Sequence, residues 1–136
     1  MMETDNNLIA TAEAKIGRIQ YQTIVQSGGH TIIADEPADM NGMNTGMAPY
    51  NLLLASLASC TVITLRMFIE SKMWVVDEIT INLDLSKTEE RVHIDSKLTF
   101  KGELNDEQRK RLITIADACP VHKMLVGNFE IYTSAE

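Results

Sequence analysis

Cysteine is scarce in this sequence of 136 residues, which contains only Cys60 and Cys119. Two thiols are too few for the disulfide framework that holds many small secreted domains together. They are also too few to build a structural zinc site from thiolates alone, because such sites use four protein ligands. The chain is long enough to bury a hydrophobic core without disulfide bonds or structural zinc. We therefore expect a single soluble domain over residues 1–136, with residues 1–8 as a flexible tail.

An excess of positive charge is also missing. Twelve lysine and arginine residues stand against nineteen aspartate and glutamate residues, which gives a formal net charge of −7 and a pI near 4.9. Nucleic acids and anionic membrane surfaces attract basic proteins, so we expect neither as a partner. The first residues contain no basic segment followed by an apolar one. We therefore expect no signal peptide and a cytoplasmic protein.

Charged side chains are absent from residues 40–65, the longest uncharged stretch of the chain. Serine and threonine interrupt its apolar part, which falls short of the ~20 apolar residues that a transmembrane helix needs. A helix that is apolar on nearly every side is typical of a central core helix. One small domain has difficulty covering such a helix all round, so we expect a second copy of the chain to cover part of it.

The periodicity of apolar residues predicts an α+β domain with mainly antiparallel sheet. Ser27-Gly-Gly29 predicts a hairpin turn, and Pro49 suits the first turn of a helix because its missing N–H costs nothing there. The predicted strands cover residues 8–19, 19–25, 30–34, 74–85, 92–101 and 129–133, and the predicted helices cover residues 50–73, 105–119 and 121–126.

The two cysteines occupy different settings. Cys60 lies in the middle of the uncharged helix, where a free cysteine often serves as a small buried apolar side chain. Cys119 directly precedes Pro120, and a thiol at a helix start meets free N–H groups and the helix dipole, which favour the thiolate. His122 can assist if it is close and protonated. Two inert residues are one interpretation, and a peroxidatic and resolving pair is the other.

A metal site is a further alternative. Cys119 and His122 have the spacing of a ligand pair, and Cys60 can supply a third ligand. Structural zinc usually has four ligands, however, and the sequence contains no second paired motif. We therefore expect no metal and no cofactor.

Two motifs of the chain match patterns known from one family. The segment that begins at Ala48 and ends at Thr61 has the form P-x-x-L-L-L-A-S-L-A-x-C-T after its alanine, and Cys119-Pro-Val-His122 has the form C-P-V-H. Both resemble landmarks of the OsmC/Ohr family, the osmotically inducible and organic hydroperoxide resistance proteins. Asp35-Glu-Pro37, which precedes a loop rich in glycine and asparagine, resembles the OsmC-like subgroup. The resemblance covers about residues 15–134.

This resemblance implies an OsmC-like fold, in which antiparallel sheets wrap around the central helices of an intertwined homodimer. It also implies a thiol-dependent peroxidase that acts on organic hydroperoxides. Cys60 attacks the peroxide as a thiolate and becomes a sulfenic acid. Cys119 condenses with it to a disulfide, which an external dithiol then reduces.

The chain departs from the family pattern beside the reactive thiol. In the family peroxidases a glutamate follows the helix-opening proline and holds an active-site arginine, whereas this chain has Tyr50 there. Asp35 or Glu36 can supply the carboxylate instead. Arg18 is the arginine of the expected region, and Arg66 is a second candidate. The alternative function is therefore an OsmC-like dimer without efficient peroxidase activity that binds a small apolar ligand.

Overall fold

The computed structural model of the chain describes residues 7–127 and 129–136, and its fold is α+β with antiparallel sheets, as predicted. The chain divides into two compact units, residues 1–53 and residues 54–136, which are described in turn. Residues 1–6 of the predicted flexible tail lie outside the described residues. That the chain forms a single domain stays a prediction.

The predicted helices and five of the six predicted strands form, with bounds that differ by a few residues from those expected. In chain order the elements are β1 (Ala12–Ile16), β2 (Thr23–Ser27), β3 (His30–Ala34), a 3-10 turn (Ala38–Met40), α1 (Pro49–Lys72), β4 (Val76–Thr88), β5 (Arg91–Gly102), α2 (Asp106–Ala116) and α3 (Pro120–Val126).

The first unit holds a three-stranded antiparallel sheet in the order β1-β2-β3. The predicted turn between β2 and β3 is confirmed, with φ of 61° at Gly28 and 80° at Gly29, a region that glycine enters without a steric penalty. Residues 18–21 form bends, so β1 ends earlier and β2 begins later than predicted. The Tyr21 N–H donates to the Asp35 carboxylate at 3.2 Å rather than to a neighbouring strand.

The core of the second unit forms where α1 packs against β4 and α2. Its buried members are Leu65, Ile69, Val76, Leu112 and Ala116. The buried positions of α1 follow one another at intervals of four residues, so they form a single row on one face of the helix. Some apolar side chains of α1 outside this row, including Leu53, Ile63 and Met67, are exposed in the chain.

By length and composition alone, α1 meets the criterion for a helix that could cross a membrane, the one such helix among the described residues. The core helix of a soluble protein meets the same criterion. The test is therefore weak, and it does not point to a membrane protein.

The hairpin of β4 and β5 pairs from Val76 opposite Gly102 to Thr88 opposite Arg91. Alternate side chains of the hairpin are half-buried, and those near its base pack against the core of the unit. The helix α2 begins at a capping box: Asn105 accepts from the Gln108 N–H, and Gln108 accepts from the Asn105 N–H, each at 2.8 Å.

The predicted closing strand over residues 129–133 is wrong, since residues 129–136 adopt no regular secondary structure. Its apolar side chains are exposed, and the side chain of Ile131 is 83% accessible. The alternation of the segment suits a strand, but a strand needs a neighbour to accept its backbone hydrogen bonds. No strand of the described part of this chain pairs with it.

Candidate functional site

The structure brings the two cysteines together in the second unit. Cys60 lies on α1 and Cys119 immediately precedes α3, and their Sγ atoms are 2.9 Å apart. Both cysteines are free. Cys60 is half-buried, whereas the side chain of Cys119 is fully buried. Because disulfide sulfurs are about 2.05 Å apart, a small displacement is enough to join them.

Local sequence explains both positions. Cys60 is the residue before Thr61, which belongs to the buried row of α1, so Cys60 lies at the edge of the buried face. Pro120 occupies the first turn of α3, where its fixed φ and missing N–H are well tolerated. Cys119 is consequently the N-cap, with φ of −62° and ψ of 139°, and its Sγ accepts from the His122 N–H at 3.4 Å.

The two thiols differ in acidity. Burial raises the pKa of Cys60, and the hydrogen bond with Cys119 adds to this increase. Burial also acts to raise the pKa of Cys119, but hydrogen bonds from Cys60, the His122 N–H and Thr61 outweigh it and lower that pKa. In the reduced pair the thiolate is therefore favoured on Cys119 and the proton on Cys60. A lower pKa for Cys119 agrees with its position at the start of a helix.

The described residues contain no group of three or more histidine, cysteine, aspartate or glutamate side chains placed to hold a metal ion. Cys60, Cys119 and His122 therefore do not form the metal site that their spacing allows. His122 contributes its backbone N–H to the site.

The two candidate arginines differ in their surroundings. Arg66 is engaged elsewhere: its Nη1 donates to the Val76 carbonyl at 2.9 Å and ties α1 to the start of β4. Arg18 is exposed and lies in the bend that follows β1, in the first unit. Its assignment to the site stays a prediction.

The Asp35 carboxylate, one of the two proposed replacements for the family glutamate, is committed to its own loop. It is 2% exposed and accepts from the N–H groups of Tyr21, Glu36, Met43 and Thr45 and from the Thr45 hydroxyl. The Thr45 hydroxyl, 2.5 Å away, holds the pKa of Asp35 well below its usual value, more than burial raises it. With both oxygens in use, Asp35 is not available to hold an arginine.

One residue of the site was not predicted from the sequence. Thr61 is 4% exposed, and its Oγ1 lies 3.7 Å from the Sγ of Cys119. The signal was present, because Thr61 stands four residues after Leu57 and four before Leu65. A hydroxyl in an otherwise apolar row must find a partner when it is buried.

Comparison with known proteins matches the chain to one family. The family model described as OsmC-like protein matches residues 42–134. Among curated proteins none gives a significant match. Three similar solved structures share only 19–22% of their residues with this chain, so their likeness shows the fold alone.

The first is an OsmC-like protein from Mycoplasma pneumoniae, with 19% identity, a TM-score of 0.76 and 89% of each chain covered. An organic hydroperoxide resistance protein OsmC from Legionella pneumophila has 20% identity and a TM-score of 0.64, over 89% of this chain and 91% of that one. An organic hydroperoxide resistance protein from Elizabethkingia anophelis has 22% identity and a TM-score of 0.63, over 89% and 90%. The family match spans well over half of the sequence, and the chain therefore belongs to the OsmC-like protein family.

Proposed function

We propose that the protein is a cytoplasmic, thiol-dependent peroxidase that reduces organic hydroperoxides. The observation that carries this proposal is the 2.9 Å separation of two free sulfurs, one half-buried and the other fully buried. A structural role for two core cysteines does not require them to meet. Peroxide detoxification agrees with the family and with the names of the Legionella and Elizabethkingia structures.

The proposed reaction has two steps in the protein. The Cys60 thiolate attacks the outer peroxide oxygen, the O–O bond breaks, and the alkoxide takes a proton and leaves as an alcohol. Cys60 has then lost two electrons and is a sulfenic acid. The Cys119 thiolate attacks that sulfur, an S–S bond forms, and the hydroxide leaves as water after protonation. An external dithiol supplies two electrons and two protons to restore both thiols.

Solvent access supports Cys60 as the first nucleophile even though Cys119 is the more acidic thiol. A fully buried sulfur cannot meet a peroxide from solution, whatever its charge, and only Cys60 of the pair is partly exposed. Proton transfer across the 2.9 Å contact moves the negative charge from Cys119 to Cys60 without changing the charge of the pair. The Cys60 thiolate that reacts is therefore the minor ionised form of the reduced pair. Its low abundance slows the attack on the peroxide unless another group stabilises the charge on Cys60.

We propose Arg18 as that group. Within residues 7–127 and 129–136, no hydrogen bond or ion pair occupies its guanidinium. A cation beside Cys60 lowers the thiol pKa. Arg18→Ala should reduce the rate of Cys60 oxidation, whereas Arg18→Lys should retain part of it. An equal rate of Cys60 oxidation in Arg18→Ala and in the wild type would remove Arg18 from the proposed site.

The proposed functional form is a homodimer. Leu53, Ile63 and Met67 of α1 are exposed in the single chain, as are the apolar side chains of residues 129–136. A group of exposed apolar side chains is typical of a protein–protein interface. A second copy of the chain packed on α1 explains why this 24-residue helix has charged side chains only near its C-terminal end.

The alternative, a dimer that binds a small apolar ligand without turnover, has a candidate surface. An open groove of about 400 Å³ is lined by Val62, Ile63, Arg66, Met67 and Ile79. The same surface includes exposed side chains of α1 that the dimer is proposed to cover. The groove is therefore open to a ligand only in the separate chain, and it does not favour ligand binding by the dimer.

Turnover of cumene hydroperoxide with dithiothreitol tests the function. Wild type should consume peroxide continuously, Cys60→Ser should consume none, and Cys119→Ser should react once and accumulate sulfenic or sulfinic acid at Cys60. Far-UV circular dichroism of each variant controls for folding. Equal consumption by the wild type and Cys60→Ser would refute the peroxidase and leave the ligand-binding alternative.

A further inference from the structure

A buried hydroxyl lies beside the pair of sulfurs. Thr61 is one of two buried polar residues among those described, the other being Asp35. Its Oγ1 lies 2.9 Å from the Leu57 carbonyl oxygen and 3.7 Å from the Sγ of Cys119. An apolar residue of the same shape would fill this position in the row of α1 equally well, so packing alone does not explain the hydroxyl.

The hydroxyl has two possible acceptors and one proton. It donates to the Leu57 carbonyl at 2.9 Å, and the Sγ of Cys119, 3.7 Å from the same oxygen, is the second acceptor within its reach. Within α1 the Leu57 carbonyl also accepts the Thr61 N–H, as in any helix, so it keeps a partner when the hydroxyl turns away. A thiolate is a stronger acceptor than a carbonyl that is already bonded. The hydroxyl can therefore follow the charge on Cys119.

We propose that Thr61 is a positioning residue for Cys119: its hydroxyl turns to the sulfur when that sulfur is a thiolate and holds it against Cys60 for disulfide closure. This inference rests on the proposed function, in which Cys119 is the resolving thiol. In the closing step the Cys119 sulfur forms the S–S bond, the S–O bond of oxidised Cys60 breaks, and the hydroxide leaves as water. The released Thr61 hydroxyl then returns to the Leu57 carbonyl.

The surroundings of Cys119 leave this role to Thr61. Among the described residues that form hydrogen bonds with Cys119, Cys60 on α1 is the one with a titratable side chain in the bond. The helix α3 contributes backbone N–H groups of Val121 and His122 rather than charged side chains. Asp117 and His122 flank Cys119 in the chain, exposed and half-buried respectively. Thr61 is thus the neutral side chain that can add a hydrogen bond to the thiolate.

Thr61→Val tests the proposal because it replaces the hydroxyl with a methyl group at nearly constant volume. Thiolate absorbance at 240 nm, recorded against pH in the reduced protein, gives the midpoint of the first ionisation of the pair. Thr61→Val should raise that midpoint by about one pH unit, which corresponds to about tenfold less thiolate at a fixed lower pH. Thr61→Ser, which keeps the hydroxyl, should restore the wild-type midpoint.

A matched control separates this effect from the loss of any helical hydroxyl. The Thr114 hydroxyl donates to the Lys110 carbonyl at 3.3 Å, the same i to i−4 bond on α2, and Thr114 is exposed. Thr114→Val should leave the midpoint unchanged. If Thr61→Val fails to fold, Thr61→Ala must give the same higher midpoint. A wild-type midpoint in every folded variant that lacks the Thr61 hydroxyl would overturn the proposal.

The second measurement is the lifetime of the sulfenic acid after one equivalent of cumene hydroperoxide. Thr61→Val should allow about tenfold more capture of oxidised Cys60 by dimedone, as expected when the attacking thiolate is about tenfold less abundant. Equal capture in Thr61→Val and in the wild type contradicts the role in closure. The absorbance titration requires no peroxide chemistry, so its outcome remains interpretable even if the proposed peroxidase activity is absent.

Discussion

The Sγ atoms of Cys60 and Cys119 lie 2.9 Å apart although 59 positions separate the two residues in the chain. The packing of α1 against the segment between α2 and α3 produces this contact, and the buried Thr61 beside it belongs to the same packed face. A pair of thiols this close can share one proton, so the acidity of each depends on the other. Substitution of one sulfur is therefore expected to change the chemistry of its neighbour.

Cys119→Ser should lower the pKa of Cys60. After burial, the Cys119 hydrogen bond is the largest cause that raises this pKa, and the negative charge of Cys119 adds to it. A serine in its place carries no charge at neutral pH. The pH dependence of Cys60 alkylation by iodoacetamide, read by mass spectrometry, measures the change. A midpoint higher than that of wild-type Cys60 would contradict the coupling.

Asp35→Asn should destabilise the protein at pH 7, by an amount that shrinks in acid. The folded pKa of Asp35 is depressed, so its contribution is present above the unfolded pKa of about 3.9 and is lost as pH falls below it. Thermal unfolding of wild type and variant between pH 7 and pH 3 measures the difference in Tm. Asp39→Asn, at an exposed position of the same loop, is the control and should have little effect. A Tm difference that stays constant with pH would refute the ionic role of Asp35.

Leu112→Ala should reduce the free energy of unfolding by about 2–5 kcal/mol, the usual cost of truncating a fully buried leucine. Leu112 is inaccessible to solvent and packs with the buried row of α1. The neighbouring Ile113 is half exposed, and Ile113→Ala should cost much less. Urea denaturation of both variants gives the comparison. Equal losses would place the core of the second unit elsewhere.

Met67→Glu should weaken the proposed homodimer. Met67 is 66% exposed in the single chain and lines the groove of α1 with Val62, Ile63 and Arg66, where a carboxylate would lose its hydration on association. Sedimentation velocity at several concentrations measures the dissociation. Ile113→Glu introduces the same charge on α2 and is the control. A dimer that is equally stable in Met67→Glu and in wild type would exclude this face of α1 as the interface.

Local sequence patterns predicted most of the fold. Pro49 at the start of α1 and the glycine pair between β2 and β3 each constrain the backbone within a few residues, and each lies where it was expected. The strand predicted over residues 129–133 failed because a strand depends on a partner that periodicity does not identify.

The candidate site was predictable in part. The motifs singled out Cys60 and Cys119, but sequence spacing contains no information about the distance between two sulfurs on different helices. The sequence left Asp35 available to hold an arginine, because some of its five hydrogen-bond donors come from residues up to 14 positions away and only the fold brings them together. The acidity of each thiol likewise depends on burial and on neighbours that only the folded chain provides.

The use of sulfur as the N-cap of α3 links helix stability to oxidation state. In the reduced protein the His122 N–H donates to the Sγ of Cys119 and helps to lower the pKa of that thiol. A disulfide sulfur carries no charge and accepts hydrogen bonds weakly, so the first turn of α3 loses its best acceptor when the pair is oxidised. The His122 amide should then exchange its hydrogen with solvent faster in the oxidised protein than in the reduced one. A seven-residue helix is too short to be stable by itself. The stability of α3 therefore depends on whether the two adjacent cysteines are reduced or joined in a disulfide.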